Sequence, residues 1–461
     1  MTSPTESLGE SARPTVVLGG GLAGISAALH LQSPYLLLER DDRLGGLART
    51  EERDGFYFDH TGHWLHLRDP EIKALVAQLH GEPDTAEGTM VEVTRVARVF
   101  SHGRATLYPF QANLHGLPPE VNAECLLGFL EARERRAAAA ALAEGSNVGA
   151  NHQAALANFE EYIQHHFGRG IAKHFMVPYN EKLWGVKVSE ITSAWCSRFV
   201  PIPSAEQVVA GAVGAGPANL GYNVKFRYPK VGGIESFTKG LIDALDPAHT
   251  QLSTTPERID AERREIHVGG EVLGYHALIA SIPLPALVSL LVDAPAELVE
   301  AATKLRATPV RYLNVGTRKP SPADWHWIYV PEVELPVYRV GVFSNAVASM
   351  APEGCSSLYV ELSSREPLTD ANRAEVLRSL VTIGAIGDVD DVLFADERLI
   401  DPAYVVFDEH YATATATIHD YLEARQIFSC GRYGAWIYNS MEDSLLAGKN
   451  AAQRADALPR A

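Results

Sequence analysis

Residues 16–28 constrain this chain more than any other stretch. Val16, Val17 and Leu18 form a short apolar run, Gly19-Gly20-Gly21 interrupts it, and Leu22-Ala23-Gly24-Ile25-Ser26-Ala27-Ala28 continues as the opening of a helix. Gly19, Gly21 and Gly24 keep a G-x-G-x-x-G spacing. The first glycine permits the tight turn, the second lets the backbone approach a pyrophosphate, and the third lets helix and strand pack closely. A diphosphate in this turn sits on the positive end of the helix, against backbone N–H groups without other partners, Leu22 and Ala23 included. The same turn could also be purely structural, so its context matters. Tyr35-Leu36-Leu37-Leu38 reads as the second strand of a βαβ unit, and Glu39 ends it where an acidic group accepts from adenosine ribose hydroxyls. Arg40 follows as a further candidate contact.

Just beyond, Arg43-Leu44-Gly45-Gly46-Leu47-Ala48-Arg49-Thr50 adds a second glycine pair followed by an arginine. This extension resembles the segment that flavoprotein oxidases and their relatives place around the FAD diphosphate, and plain NAD domains lack it. The expected cofactor is FAD.

At 461 residues the chain is too long for one ordinary core and should divide into two or three domains. Its net charge of -17 argues against nucleic acid or an anionic membrane as the main partner. Cys125, Cys196, Cys355 and Cys430 are widely spaced, without a metal or redox pattern, and read as reduced thiols of a cytoplasmic protein. Residues 1–14 read as a flexible tail and not a signal peptide. No run approaches the apolar length of a membrane span.

Along the chain, residues 91–108 alternate like strands, and helical character dominates from about Pro118 to Phe175, including an unbroken run of helix formers from Glu131 to Ala143. A break is expected over residues 145–151. Phe159, Tyr162 and Phe167 recur at helical spacing and read as a core face. Residues 210–221, rich in glycine and alanine, read as a mobile loop. Strand signals return at residues 266–272 and 277–281, several β-rich runs over 311–362 suggest an antiparallel sheet, and a last helix is expected from about Leu445.

Taken together, the Gly19/Gly21/Gly24 turn, the Gly45-Gly46 pair and Cys430-Gly431-Arg432-Tyr433-Gly434 resemble the amine-oxidase-type FAD superfamily. Four further segments are similar to UDP-galactopyranose mutases, especially the eukaryotic type and its bacterial relatives. They are Tyr108-Pro109-Phe110-Gln111-Ala112-Asn113, Tyr179-Asn180-Glu181-Lys182-Leu183-Trp184-Gly185, Trp327-Ile328-Tyr329-Val330-Pro331-Glu332, and the run from Val337 through Arg339 to Asn345. The resemblance spans most of the chain in order. It implies an α/β fold: a discontinuous Rossmann-type FAD-binding domain (residues 15–90, 201–285 and 421–461), an inserted helical domain (118–200), and an antiparallel β-sheet substrate domain (91–117 and 286–420).

The resemblance also implies a reaction. A UDP-sugar is interconverted between pyranose and furanose forms with no net redox change, N5 of reduced FAD acting as covalent nucleophile at the anomeric carbon and NADPH or NADH as the reductant. The leaving diphosphate calls for arginine forks and tyrosine donors. Arg339 matches the family's phosphate-binding arginine, Tyr329 its partner, and Arg198 the arginine of the helical domain. Tyr411 and Tyr438 match two further tyrosines that reach the diphosphate. Asn180 and Trp184 match sugar-side and nucleotide-side positions, and Tyr108, Gln111 and Tyr179 complete the substrate set. His63, after Thr61-Gly62, occupies the loop approaching flavin N5. Gly431, Arg432, Met441 and Ser444 join the cofactor contacts.

Each of these side chains also has an ordinary reading, as surface charge, sheet residue or domain core, and Asp59 and His60 could be a local hydrogen-bonded turn. His165 and His166 lack metal-pair spacing, and no metal is expected. One departure bears on the substrate. Where eukaryotic mutases place an asparagine, this chain has Glu442, which a diphosphate would repel. Glu442 must turn toward the flavin ribityl or a backbone N–H, or serve with Asp443 as a helix cap, or the sugar nucleotide is held differently. The competing function is a flavin oxidase or desaturase of the amine oxidase or protoporphyrinogen oxidase type. A third reading is a catalytically silent flavin-bearing protein. The sequence leaves the oligomeric state open.

Overall fold

The computed structural model of the chain describes residues 13–144, 156–196, 200–216 and 224–460. The expected break over 145–151 lies outside them. Five parallel strands form the central sheet, in the order Ile427–Ser429, Leu278–Ala280, Thr15–Leu18, Tyr35–Leu38, Thr250–Gln251. Val16, Val17 and Leu18 are buried on both faces, which is why their run is continuously apolar instead of alternating. Distant stretches of the chain thus contribute to one sheet, giving the mixed α/β architecture expected of an FAD-binding fold.

The helix Leu22–His30 leaves the glycine turn, and the C-terminal helix Met441–Asp456 packs along it in the same direction. Ser26 Oγ donates to Leu445 O at 2.6 Å, and Asp456 accepts from Gln32 N at 2.9 Å. A side chain at Gly448 would put its Cβ 2.0 Å from Ala23 O, so only glycine allows this approach. The C-terminal helix starts at Met441, four residues before the expected Leu445. Ser440 and Asp443 form a reciprocal capping box that satisfies the first turn.

A second, seven-stranded sheet runs in the order Val392–Val405, Ala307–Thr317, Ser356–Leu362, Val337–Val342, Trp327–Tyr329, Ala97–Ser101, Arg104–Leu107. It is antiparallel except between Trp327–Tyr329 and Ala97–Ser101, which pair in parallel. Its register lines up Val99, Tyr329, Arg339, Glu361, Tyr312 and Arg398 in one row across the strands. Directly opposed residues share a face, so this row places Tyr329, Arg339, Glu361, Tyr312 and Arg398 on one side. Tyr359 lies two residues from Glu361 on that face, and Gly341 opposite it leaves room for the phenol ring: a Cβ there would come within 2.0 Å of Tyr359 Cε1.

The helices Pro119–Glu144, Phe159–Ile171 and Val177–Trp184 build a helical layer that packs on the seven-stranded sheet through Val177–Trp184. Phe159, Tyr162 and Phe167 are buried in its core. Phe159–Ile171 kinks at Gly168 (φ 73°), where the chain passes against Gly128 O.

Two local expectations need correction. The helix Ala205–Ala212, capped reciprocally by Ser204 and Gln207, runs into the segment expected as a loop from 210; alanine and valine at helical positions outweigh the glycines there. The rest of that segment, from 217 onward, lies outside the described residues. The strand expected over 266–272 is a hairpin, Glu265–Val268 and Glu271–Gly274. Gly269 (φ 59°) and Gly270 (φ 80°) supply the two left-handed turn residues.

Candidate active site

The glycine turn and the second glycine pair meet. Gly45 N donates to Gly20 O at 2.8 Å, and Gly21 pairs with Gly45. Gly19 takes φ 94°, and a Cβ on Gly24 would lie 1.8 Å from Gly19 O, so both positions demand glycine. A Cβ on Gly21 would meet nothing closer than Gly46 Cα at 3.9 Å, which leaves its outer side open to a ligand. Arg49 fixes the second loop, with Nε donating to Gly46 O and Nη2 to Asp41, both at 2.7 Å. Ser281 Oγ, which sequence reasoning missed, donates to Leu18 O and Gly19 O at the sheet's carboxyl edge.

Glu39 is buried and oriented by two amides, Gly20 N at 2.6 Å and Asp41 N at 2.9 Å. A carboxylate has about four acceptor positions, so capacity remains for ribose hydroxyls. Arg40 is exposed beside Asp41 at 3.6 Å.

At the other side of the sheet, Gly431 (φ 78°) lies against Ala23, where a Cβ would come within 2.6 Å. Arg432 donates to Ala403 O and Asn439 O and lies over the Tyr404 and Tyr438 rings. Met441 and Ser444 lie in the first turn of the C-terminal helix, Ser444 Oγ donating to Ser440 O. Gly62 is packed so that a Cβ would come within 2.5 Å of Tyr359 Oη. The next residue, His63, has a buried Nδ1 with no hydrogen-bond partner among the described residues. Burial, with His60 and Arg432 nearby, pushes its pKa down to about 4, so the imidazole is neutral at neutral pH.

Glu442 turns to the backbone of residues 68 and 69. It is 2% exposed, and Oε1 accepts from Arg68 N and from Asp69 N at 2.7 Å, with Arg68 Nε 3.4 Å from Oε2. Of the alternatives open in the sequence, the structure realises the backbone N–H. The capping carboxylate is Asp443 alone.

The substrate-side candidates converge on the sheet face. Arg339 Nε donates to Glu361 Oε2 at 2.7 Å, Nη2 bonds the other carboxylate oxygen, and Nη2 reaches Tyr404 Oη at 3.3 Å. Tyr329 lies 4.9 Å from the Tyr108 ring and 5.2 Å, edge-on, from Tyr179. Tyr404 stacks on Tyr438 at 5.9 Å. Burial raises the phenol pKa of Tyr179, Tyr329 and Tyr404, which keeps all three as neutral O–H donors. Asn180 spends its Nδ2 on Met176 O, one turn back.

The helix carrying Tyr179 and Asn180 is tied to the sheet. Lys182 Nζ donates to the carbonyls of Val330, Glu332, Leu335 and Val337, and Arg365 holds Lys182 O and Leu183 O.

Trp184 is buried among Trp195, Tyr404, Phe407 and Tyr438, forming the wall of the cluster. Tyr411 is set back, packed on Phe407 at 4.7 Å. Gln111 is buried, its Nε2 donating to Pro201 O and its Oε1 without a partner among the described residues. Arg198 lies outside the described residues. Glu361 and Tyr404 were not among the sequence candidates. An acid inside Leu358-Tyr359-Val360-Glu361-Leu362, a run of otherwise large apolar and aromatic residues, was the available signal for the first.

Residues 22–455 match the family Flavin containing amine oxidoreductase, and the chain belongs to that family. The glycine cradle, the oriented Glu39 and the orphaned His63 Nδ1 fit the FAD this membership implies. The fold is that of a reduced UDP-galactopyranose mutase structure, with a TM-score of 0.83 and 24% identity over 96% of this chain and 95% of that one. A candidate protoporphyrinogen oxidase from Exiguobacterium sp. 255-15 superposes with a TM-score of 0.72 and 17% identity over 96% and 99%. In sequence, the coproporphyrinogen III oxidase of Mycobacterium tuberculosis (strain ATCC 25618 / H37Rv) is 34% identical over 114 residues. That match spans 23% of this chain and 22% of the relative, so the chain covers about a fifth of that relative's length. No described helix is long and apolar enough to cross a membrane.

Proposed function

We propose that this flavoprotein is a nucleotide-sugar mutase, interconverting pyranose and furanose forms of a UDP-sugar of the UDP-galactopyranose type. The observation that carries the reading is Arg339, held rigid by Glu361 among neutral tyrosine donors. Two guanidinium nitrogens are committed to the carboxylate, and Nη1 has no partner among the described residues. A fork preorganised in this way loses little entropy on meeting a phosphate oxygen. Tyr329 and Tyr179 add phenolic donors that carry no charge of their own, and Arg198 would supply a second cation from the helical layer. FAD, once bound and reduced by hydride from NADPH or NADH, would supply the nucleophile toward the anomeric carbon. His63, neutral at neutral pH, would leave the developing negative charge to the arginines.

Glu442 is engaged by the 68 and 69 amides and lies beside the Arg68 guanidinium, which offsets the charge that would have spoken against a diphosphate. The test is anaerobic turnover of dithionite-reduced protein with UDP-galactofuranose, followed by chromatography for UDP-galactopyranose. Conversion by the reduced form alone supports the reading, and no conversion of any UDP-sugar overturns it.

A second reading, an oxidase or desaturase, is favoured by the local identity to a coproporphyrinogen III oxidase. It expects oxygen consumption or substrate dehydrogenation by the oxidised protein and no affinity for UDP.

A further inference from the structure

Asn439 is 8% exposed, yet neither Oδ1 nor Nδ2 of its carboxamide has a partner among the described residues. A buried amide left wholly unsatisfied costs about 1–3 kcal/mol for each lost group, and native structures rarely tolerate it without a ligand or other function. Its backbone is not loose. Arg432 Nη1 donates to Asn439 O at 3.1 Å, and the next residue, Ser440, caps the C-terminal helix. The neighbouring Trp436 is held at φ 54°, a strained setting for a bulky side chain. The segment between Gly431 and Ser440 therefore presents Asn439 in a defined place.

That place is set by the sheet. The glycine turn that receives the diphosphate follows the strand Thr15–Leu18, and Glu39, on the adenosine side, ends the neighbouring strand Tyr35–Leu38. Asn439 lies ten residues beyond Ile427–Ser429, the edge strand on the opposite side, and directly precedes Ser440, the cap of the helix that packs on Leu22–His30. The helices Leu22–His30 and Met441–Asp456 start at the same end of the molecule. A dinucleotide laid with adenosine toward Glu39 and diphosphate on the glycine turn extends its other half toward Asn439.

We infer that Asn439 is a further ligand-binding residue whose carboxamide reads an imide edge, pairing Nδ2–H with a ring carbonyl and Oδ1 with the adjacent ring N–H, and that this edge is the pyrimidine side of the isoalloxazine. A carboxamide offers donor and acceptor side by side, which matches the alternation of C=O and N–H on an imide. Uracil carries the same edge, so a UDP-sugar is the other source of this chemistry; that alternative rests on the proposed mutase reading, and the flavin assignment does not.

The experiment uses the full chain as purified. Asn439→Leu keeps the volume and removes donor and acceptor, and Asn439→Asp keeps one acceptor and adds charge. Three quantities are measured: the dissociation constant of FAD, the midpoint potential of the bound flavin, and the affinity for UDP against CDP, whose base lacks the imide. The expected result is FAD binding weakened about tenfold in Asn439→Leu, a displaced flavin potential in both variants, and an unchanged UDP-to-CDP ratio. Unchanged FAD affinity and potential, with UDP weakened relative to CDP, overturns the flavin assignment in favour of uracil. No change in any of the three overturns the inference altogether. Wild-type protein that ignores UDP removes the mutase reading but leaves the flavin arm intact. Circular-dichroism melting of the apo-proteins separates lost folding from lost FAD, and if Asn439→Leu does not fold, Asn439→Asp alone decides by its potential.

Discussion

Glu361 and Arg339 face each other on adjacent strands, and the carboxylate grips the guanidinium through Nε at 2.7 Å and through Nη2. Glu361 is fully buried. The pair is therefore both a structural element and a clamp whose remaining nitrogen, Nη1, has no partner among the described residues.

Removing one partner of a buried ion pair strands the other. Glu361→Ala is expected to cost about 3–5 kcal/mol of stability, measured by denaturant unfolding. Arg339→Lys is the informative functional variant, because a point charge cannot keep both the Glu361 fork and a phosphate contact. UDP affinity should fall about tenfold or more while the flavin spectrum is retained. Normal UDP binding by Arg339→Lys would remove Arg339 from the phosphate site.

Glu442 satisfies two successive amides, Arg68 N and Asp69 N, and so fixes the loop that leads from His63 into the helix Pro70–His80. Charged acceptors of this kind are worth about 1.5–3 kcal/mol per bond. Glu442→Ala should lower stability by a few kcal/mol and speed hydrogen exchange at the 68 and 69 amides. Glu442→Gln, which keeps one acceptor oxygen, should retain most of the protection. A variant that changed UDP affinity but neither of these quantities would show that Glu442 faces the substrate after all.

The parts of this architecture that were legible in the sequence are those carried by local rules. The Gly19/Gly21/Gly24 turn, the strand Tyr35–Leu38 ending in Glu39, and the Gly45-Gly46 pair each need a particular backbone, and only particular residues allow it. The apolar spacing of Phe159, Tyr162 and Phe167 reported a buried helix face in the same way. What the sequence could not show was pairing across strands. Glu361 is one acid among fifty-seven acidic residues until the register sets it opposite Arg339. Tyr404 is one tyrosine among seventeen until the strand Val392–Val405 brings it to Tyr438. The orientation of Glu442 depended on amides more than 370 residues away in the chain. The hairpin at Gly269-Gly270 and the early start of the last helix at Met441 were misread because turn and capping chemistry moved boundaries that hydrophobic pattern alone leaves loose.

Asp59 gives the protein a pH-dependent stability. It is fully buried, accepting from Tyr228 Oη at 2.6 Å, Thr50 Oγ1 at 2.7 Å and Ile234 N at 3.0 Å. Burial pushes its pKa up to about 7, against the pull of those three donors. In the unfolded chain the carboxyl returns to about 3.9. Between these values the folded state holds the extra proton, so stability falls as pH rises through the window from about 4 to about 7. Asp59→Asn, which has no proton to lose, should flatten that slope in urea unfolding series. An unchanged slope would place the titration elsewhere.

Lys182 makes the joint between helical layer and sheet testable. Its ammonium sits against four carbonyls, at 3.0, 2.7, 3.0 and 2.6 Å, three from the connection between Trp327–Tyr329 and Val337–Val342 and the fourth from Val337, which opens the second strand. That connection joins the strands of Tyr329 and Arg339, while Lys182 belongs to the helix of Tyr179. One cation therefore sets the distance between two sides of the tyrosine cluster. Lys182→Met keeps the stem and strands carbonyls that water reaches poorly, which should cost about 1–3 kcal/mol and raise hydrogen exchange at Leu335 and Val337. Lys182→Arg should not rescue, because a planar fork cannot replace a compact ammonium whose donors point in three directions. Because the flavin cradle lies on the other sheet, FAD content should stay at the wild-type level in both variants while UDP affinity drops. A Lys182→Met protein with wild-type exchange and wild-type UDP affinity would show that helix packing alone holds Tyr179 against Tyr329.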